Sequence, residues 1–245
     1  MNTLLLSIEG PIARIVLNRP DRLNAISGEL ILELHQALSQ VAQDTAIKIV
    51  HVSGAGRAFS AGVDLKETTA EGFRGENDFL STGLQVAELL RSMNKVTIAQ
   101  VHGYCFTGAL ELMLFFDLCF CAESTQFGDT HAKWAVMPRW GMSQNLARRV
   151  GLIKAKELTF RAMRVKGPEA ERIGLVNRAF PDADLAQEVD QLMAEMLENS
   201  FEAIAAIKDL YDRGFETTLK EGLAIEQAAN PVLPGTEEQL GKFGK

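Results

Sequence analysis

One acidic residue, Glu111, stands inside an otherwise apolar segment, and its position suits acid–base chemistry. The segment runs from Thr107 to Phe116, and Glu111 is its only charged residue. Burial of a carboxylate among apolar side chains is costly unless other groups stabilise it. A helix that starts at Gly108 would place this carboxylate on the same face as the free N–H groups of its first turn. An enzyme needs that combination to stabilise a carbonyl oxygen that becomes negatively charged.

A purely structural account of the same residues stands beside the chemical one. If Gly108 is the N-cap of the helix, Glu111 occupies the third helical position. The helix dipole favours a carboxylate there, and the side chain often completes a capping arrangement. The segment alone leaves both interpretations open, and a second segment upstream favours the chemical one.

The second segment is a glycine-rich stretch at 53–65, which follows a β-branched run at 47–52 that is typical of a strand. Its three glycines allow sharp turns and a close approach of the backbone to a ligand. A dinucleotide-binding motif is excluded, because Phe59 stands where a Gly-x-Gly-x-x-Gly pattern starting at Gly54 requires its last glycine. The alternatives are a plain tight turn and a loop that presents main-chain N–H groups after residue 62 to a bound group.

The composition of the 245 residues is that of an ordinary globular protein, with 47% hydrophobic and 23% charged residues. The net charge of −7 and the lack of a dense Lys/Arg stripe exclude a general nucleic-acid binder. The three cysteines match neither a disulfide framework nor a paired zinc pattern, so we expect buried free thiols and a reducing compartment. Without a leader or a run of about 18 apolar residues, the sequence predicts a cytoplasmic protein that has no membrane partner.

Strands and helices alternate through the first part of the chain. Strand patterns occur at 4–8, 12–17, 47–52, 96–101 and 118–121. Apolar residues at helical spacing, such as Leu30, Leu34 and Leu38, indicate the intervening helices. The polar stretch 66–78 is interpreted as a loop that closes over a ligand or as a passive connection. From about Gly151 helical patterns dominate, so the sequence predicts an α/β core followed by an α-helical C-terminal part.

Several short stretches carry a family resemblance that covers nearly the whole chain. They lie at 17–20 and 24–25, 58–65, 98–104, 108–111, 117, 126–128 and 138–144. In order and spacing these stretches resemble the enoyl-CoA hydratase/isomerase (crotonase) family. The resemblance implies an α/β fold in which residues 1–185 form a crotonase-like spiral of repeated ββα units. It also implies that the α-helical C-terminal region, residues 186–245, supports a homotrimer or a dimer of trimers.

The resemblance also implies the chemistry. The small-molecule substrate would be an acyl-CoA thioester whose carbonyl becomes enolate-like. By motif position, the backbone N–H groups of Val63 and Gly108 form an oxyanion hole, in which each donor typically contributes about 2.7–4 kcal/mol of transition-state stabilisation. Glu111 matches the general base that takes a proton from water as it attacks the β-carbon. No cofactor and no metal are expected, because coenzyme A arrives as part of the substrate.

The sequence departs from the family pattern at the second catalytic glutamate, expected 20 positions after Glu111, where this chain has His131. An imidazole, with an ordinary pKa of about 6.5, suits an acid that protonates the α-carbon or a group that hydrogen-bonds the water. A histidine that only fills space is the alternative. Asp129 is a candidate partner of the imidazole, but Asp-Thr-His is too sparse for a metal site. Trp134 and Trp140 flank this region, either as walls of an acyl pocket or as ordinary core residues.

By motif position, the loop at 19–25 and the backbone at 61–65 are the candidates for recognition of coenzyme A. The residues are Arg22, Asn24, Ala25, Ala61, Asp64 and Leu65, with Trp134 as a further substrate contact. The guanidinium groups of Arg19, Arg22 and Arg57 are candidates for phosphate contacts, because they match phosphate oxygens in a bidentate way. Solvated surface arginines are the alternative.

Three functions follow from these observations. The leading one is hydration of a 2-enoyl-CoA thioester through an oxyanion-stabilised enolate. The second keeps the oxyanion hole but uses a single carboxylate, for double-bond isomerisation or acyl-CoA decarboxylation. The third is a non-catalytic member that binds acyl-CoA or another protein.

Overall fold

Residues 1–67, 78–241 and 243 are described by a computed structural model. The strands are β1 (Leu4–Glu9), β2 (Ile12–Leu17), β3 (Ile49–Gly54), β4 (Val96–Val101), β5 (Tyr104–Phe106), β6 (Leu118–Ala122), β7 (Gln126–Gly128), β8 (Arg164–Lys166) and β9 (Arg178–Phe180). The helices are α1 (Gly28–Gln43), α2 (Asp78–Ser92), α3 (Gly108–Met113), α4 (His131–Trp134), α5 (Met142–Val150), α6 (Leu152–Phe160), α7 (Gly167–Arg172), α8 (Leu185–Leu197), α9 (Phe201–Phe215), α10 (Leu219–Ala228) and α11 (Thr236–Leu240). A short 3-10 helix, Pro20–Arg22, precedes α1.

Six strands form the larger sheet, in the order β1-β2-β3-β4-β6-β9. β1 and β2 are an antiparallel hairpin whose turn contains Gly10 at φ +57, and all other neighbours are parallel. Helices cover both faces of the central strands, which explains why these strands are continuous apolar runs in the sequence. The strand predicted at 47–52 is observed at Ile49–Gly54. The alternation of strands and helices is therefore confirmed.

A second, three-stranded sheet, in the order β5-β7-β8, lies beside the larger one. β5 follows β4 after two residues and pairs in parallel with β7, which in turn pairs antiparallel with β8. The segments after the carboxyl ends of β3 and β4 meet here, because isolated parallel bridges join Ser60 to Cys105 and Ile26 to Val63. Ligands commonly bind at the carboxyl ends of parallel strands.

The helix predicted from the Leu30, Leu34 and Leu38 spacing is α1, and all three side chains are buried. The hydroxyl oxygen of Ser27 caps it by accepting the N–H of Leu30 at 3.1 Å. α1 packs beside α2 on one face of the larger sheet, and α8 covers the other face. The three cysteines are buried free thiols, as predicted from their spacing.

The C-terminal part is helical, as the sequence predicts, and α9 and α10 expose large apolar side chains. These include Ile207, Tyr211, Phe215, Leu219 and Leu223. The division of the chain at residue 185 and the trimeric assembly stay predictions. The ligand-covering loop predicted for 66–78 lies mostly outside the described residues. Among the helices that the structure describes, none combines the length and apolar character that a membrane crossing requires.

Candidate active site

Val63 and Gly108, whose backbone N–H groups are the predicted oxyanion donors, are close neighbours where the segments after β3 and β4 meet. Ser60 N–H donates to the carbonyl of Tyr104 at 2.9 Å, which aligns the two segments. A Cβ on Gly108 would lie 2.8 Å from Cγ2 of Val63, so only glycine fits at this approach. No acceptor among the described residues takes the hydrogen of either N–H group. Both N–H groups are therefore available to a ligand, and their role as an oxyanion hole stays a prediction.

Thr107 sets the direction of the Gly108 N–H group. Its backbone has φ +49 and ψ −110, a sparsely populated conformation for a residue other than glycine. Contacts to β7 and the following loop hold it, because Thr107 N–H donates to the carbonyl of Gly128 at 2.9 Å and its hydroxyl lies 2.5 Å from that of Thr130. Backbone strain that neighbouring contacts enforce is common at functional sites.

The carboxylate of Glu111 is buried, with 3% of the residue exposed. Its Oε1 accepts the N–H groups of Trp140 at 2.9 Å and Met142 at 3.1 Å, and its Oε2 lies 3.3 Å from Nε2 of His131. Met142 is the first residue of α5, and the N-cap before it, Gly141, has φ +97. The carboxylate therefore lies at the N-terminus of α5, where free N–H groups and the helix dipole stabilise a negative charge.

This geometry corrects the capping interpretation of Glu111. Thr107, not Gly108, is the N-cap of α3, so Glu111 is the fourth helical residue rather than the third. Its own N–H donates to the carbonyl of Thr107 at 2.8 Å, and its carboxylate caps α5 instead of α3. The interpretation was wrong because the positive φ of Thr107 starts the helix one residue earlier than the glycine suggests.

His131 is buried and links Glu111 to Asp129. Its Nδ1 lies 2.6 Å from Oδ1 of Asp129, and its Nε2 points at Glu111. Burial disfavours the charged ring, but the hydrogen bonds to Asp129 and Glu111 outweigh it and raise the pKa of His131 to about 9. The ring is therefore a cation at neutral pH.

Asp129 is held by donors from two directions. Its Oδ1 also accepts the N–H of His131 at 3.1 Å, and its Oδ2 accepts the hydroxyl of Thr159, on α6, at 2.6 Å. Although burial raises the pKa of this carboxyl, these hydrogen bonds lower it below its ordinary value. Over the described ranges, no cluster of three or more acidic, histidine and cysteine side chains has an arrangement that could hold a metal ion.

A cavity of about 70 Å³ connects these groups. Its walls include Ala61, Val63, Leu65, Phe79, Leu80, Thr107, Glu111, His131, Trp134 and Trp140. Trp134 lies at the open side with 55% of its surface exposed, whereas Trp140 is 1% exposed. The Glu111 carboxylate, the cationic His131 imidazole and Val63 thus line one small, mainly apolar space, and Gly108 lies directly behind Val63 and Trp140.

The family model for enoyl-CoA hydratase/isomerase matches residues 7–239. This chain belongs to that family. A probable enoyl-CoA hydratase from Rhizobium meliloti is 34% identical over 237 residues, which cover 97% of this chain and 91% of that protein. A short-chain-enoyl-CoA hydratase from Clostridium acetobutylicum is 29% identical over 240 residues, with 98% and 92% covered.

Solved structures of similar proteins have the same fold. The enoyl-CoA hydratase from Bacillus anthracis superposes with a TM-score of 0.85 at 29% identity, covering 92% of this chain and 88% of that one. A Thermobifida fusca protein in complex with acetoacetyl-CoA superposes with a TM-score of 0.83 at 26% identity, covering 99% and 96%. The crotonase-like α/β fold implied by the sequence resemblance is therefore confirmed.

In this hydratase/isomerase family member, the loop at 19–25 lies next to the site, and two of its side chains have structural contacts. Asn24 is buried, and its amide donates to the carbonyls of Ala55 at 2.9 Å and Ala58 at 2.7 Å. Arg19 pairs with Asp64 at 3.1 Å and with Glu67 at 2.7 Å. Its guanidinium is thus engaged with carboxylates.

The remaining candidates for coenzyme A contacts are more open. Arg22 and Arg57 are exposed. Ala61 and Leu65 line the cavity, and Ala25 accepts a hydrogen bond from Arg19 through its carbonyl at 2.5 Å. The roles of these residues in coenzyme A binding stay predictions.

Other residues of the site had no local signal in the sequence. The N–H groups of Trp140 and Met142 reach Glu111 across 29 and 31 residues of chain, and Thr159 reaches Asp129 across 30. Phe79 and Leu80 join the cavity from α2. Only the fold brings these groups together, so motif spacing alone does not reveal them.

Proposed function

We propose that this protein is an enoyl-CoA hydratase-like enzyme that adds water across the double bond of a 2-enoyl-CoA thioester. The observation that carries the proposal is the placement of Glu111 and His131 in one cavity beside the N–H groups of Val63 and Gly108. Family membership supports the choice of thioester, and a similar Thermobifida fusca protein has been solved with acetoacetyl-CoA. Coenzyme A would enter with the substrate, and we propose no resident cofactor.

The first half of the reaction makes the enolate. A water oxygen attacks the β-carbon while Glu111 takes one of its protons, and the electrons of the double bond move toward the thioester carbonyl. The N–H groups of Val63 and Gly108 donate to the oxygen that becomes negative. Such donors stabilise the transition state more than the ground state, and each contributes about 2.7–4 kcal/mol.

The second half returns a proton to carbon. His131 is a cation at neutral pH, because its pKa is raised to about 9, so its Nε2–H can protonate the α-carbon. The imidazole thereby replaces the second glutamate that the family resemblance predicts. After product leaves, Glu111 holds a proton and His131 lacks one. Transfer across the 3.3 Å between Oε2 and Nε2 restores both groups.

Incubation with crotonyl-CoA tests the proposal. We expect loss of the enoyl-thioester absorbance and a product heavier by one water. Formation of a 2-enoyl thioester from a 3-enoyl substrate without hydration would identify an isomerase, and release of carbon dioxide from a malonyl-type thioester a decarboxylase. Tight binding of enoyl and acyl thioesters without turnover would identify a non-catalytic member and contradict the proposal.

A further inference from the structure

Trp140 is fixed in a narrow space between α2 and the start of α3. Its indole Nε1–H donates to the carbonyl of Leu80 at 3.1 Å, and its ring lies 5.2 Å from that of Phe79, measured between centroids. A Cβ on Gly83 would lie 2.1 Å from the indole, and one on Gly108 would lie 3.0 Å from it. The indole therefore fits only because Gly83 and Gly108 have no side chains.

This position places the indole at the closed end of the cavity. The backbone N–H of Trp140 donates to Oε1 of Glu111, so the indole lies directly next to the carboxylate of the proposed base. Trp140 and Leu80 are buried, whereas Trp134 and Met137, on the other side of the cavity, are 55% and 71% exposed. An acyl chain that enters from the exposed side and passes Glu111 thus meets the indole.

The volume of the cavity limits what can lie in front of the indole. The cavity measures about 70 Å³. An apolar cavity of roughly 150 Å³ accommodates benzene, with its six carbons. By that comparison the space suits about three carbons beyond the carbonyl, the size of a crotonyl group.

We propose that Trp140 is a specificity-determining residue that restricts this enzyme to short-chain enoyl thioesters of about four carbons. The inference rests on the proposed function, because it assumes that the cavity receives the acyl chain. Trp140 acts sterically, because the indole occupies the space into which a longer acyl chain would extend. Gly83 makes room for the indole, since a Cβ there would lie 2.1 Å from it. Its hydrogen bond to the carbonyl of Leu80 resists displacement by a longer chain.

The first test compares chain lengths with the unchanged protein. We expect kcat/KM to fall from crotonyl-CoA to 2-hexenoyl-CoA and again to 2-octenoyl-CoA, by about tenfold or more at each step, because one misfitting methylene costs about 10–200-fold. Equal kcat/KM values for crotonyl-CoA and 2-octenoyl-CoA would overturn the inference.

The second test replaces Trp140 with smaller side chains. Trp140→Ala leaves the N–H that binds Glu111 in place and should raise the ratio of kcat/KM for 2-octenoyl-CoA over crotonyl-CoA by about tenfold or more. Trp140→Phe should raise it less, and it remains informative if the alanine variant does not fold. Phe160→Ala is the control, since it removes an exposed aromatic ring that does not line the cavity, and it should leave the ratio unchanged. An unchanged ratio in both Trp140 variants, or an equal change in Phe160→Ala, contradicts the inference.

A binding series separates this inference from the proposed function. Calorimetric titration with butyryl-, hexanoyl- and octanoyl-CoA needs no turnover, and we expect affinity to fall with length in the unchanged protein and to recover in Trp140→Ala. If no enoyl thioester is hydrated but this pattern holds, the proposed reaction fails and the role of Trp140 stands. If crotonyl-CoA is hydrated but the affinity for acyl-CoA does not depend on acyl-chain length in either protein, the proposed role of Trp140 is wrong and the proposed reaction is supported.

Discussion

Nδ1 of His131 lies 2.6 Å from Oδ1 of Asp129, a carboxylate that is itself buried. This contact fixes the ring so that Nε2 points at Glu111, and it stabilises the cationic form of the imidazole. The substitution of a histidine for an expected glutamate therefore keeps a proton donor at this position. The carboxylate of Asp129 lies behind the ring, away from Glu111.

Asp129→Asn should weaken His131 as an acid at alkaline pH. With Asp129 in place the pKa of His131 is about 9, so the acid form persists at neutral pH and kcat/KM should fall as the pH rises through about 9. Loss of the negative charge lowers that pKa, so the fall should begin at a lower pH. The measurements are the pH profile of kcat/KM and the imidazole titration by NMR.

Thr159→Val is the control for this substitution, because it removes a hydrogen bond from Asp129 but leaves the charge. It should move the profile less than Asp129→Asn does. If neither the alkaline fall of kcat/KM nor the NMR titration of the imidazole moves to lower pH in Asp129→Asn, then Asp129 does not raise the pKa of His131.

Glu111→Gln should lower kcat by several decades while binding of coenzyme A thioesters changes little. A glutamine keeps an oxygen that can accept the N–H groups of Trp140 and Met142, so the local structure is retained. The base is lost, and with it the negative charge that helps to raise the pKa of His131. General acid–base catalysis typically contributes about 10²–10⁴-fold. Stopped-flow turnover and calorimetric binding measure the two effects separately.

His131→Ala is the companion variant, and its loss of kcat should be smaller, because water can replace an acid more readily than a positioned base. Equal losses in the two variants would instead make His131 as essential as Glu111. Unchanged turnover in Glu111→Gln would remove Glu111 from the mechanism.

The sequence predicts the residues of this site where one continuous motif carries them. Gly108 and Glu111 belong to one segment, and Val63 follows a recognisable glycine-rich turn, so their proximity can be inferred from the family resemblance. The N-cap assignment to Gly108 was wrong by one residue, because the conformation of Thr107 depends on hydrogen bonds to Gly128 and Thr130, which belong to another part of the chain. Local patterns carry no information about such contacts.

The partners of Glu111 show the same limit. The capping interpretation assigns this carboxylate to its own helix, α3, but the helix that it caps is α5, because its bond to the N–H of Met142 spans 31 residues of chain. Likewise, the spacing of Asp129 and His131 suggests a pair, whereas the hydroxyl of Thr159 arrives from α6. The chemistry of single residues was predictable, and their hydrogen-bond partners required the fold.

Gly108→Ala should lower kcat/KM by about 10²–10³-fold, the typical effect of losing one oxyanion donor. The added methyl group would lie 2.8 Å from Cγ2 of Val63 and 3.0 Å from the indole of Trp140, so the backbone at Gly108 must shift and its N–H group would move away from the oxygen that it is proposed to bind. The double variant Gly108→Ala, Val63→Ala removes that methyl contact and should recover part of the loss. A double variant no better than Gly108→Ala alone would contradict this explanation.

His51 should make the folded protein less stable as the medium becomes acidic. The ring is buried in β3, its Nε2 lies 3.0 Å from Oε1 of Gln100, and its Nδ1 has no partner among the described residues. Burial lowers its pKa from 6.5 to about 4, so the unfolded chain binds the proton more readily between these values. The free energy of unfolding therefore contains a contribution from the neutral ring that is complete above pH 6.5. This contribution is lost as the pH falls toward about 4, by about 3 kcal/mol in total.

Urea unfolding of the protein and of His51→Leu across this range measures the effect, because leucine cannot titrate and the variant should lose this part of the pH dependence. If both proteins lose the same free energy of unfolding on acidification, the titration of His51 is not the cause.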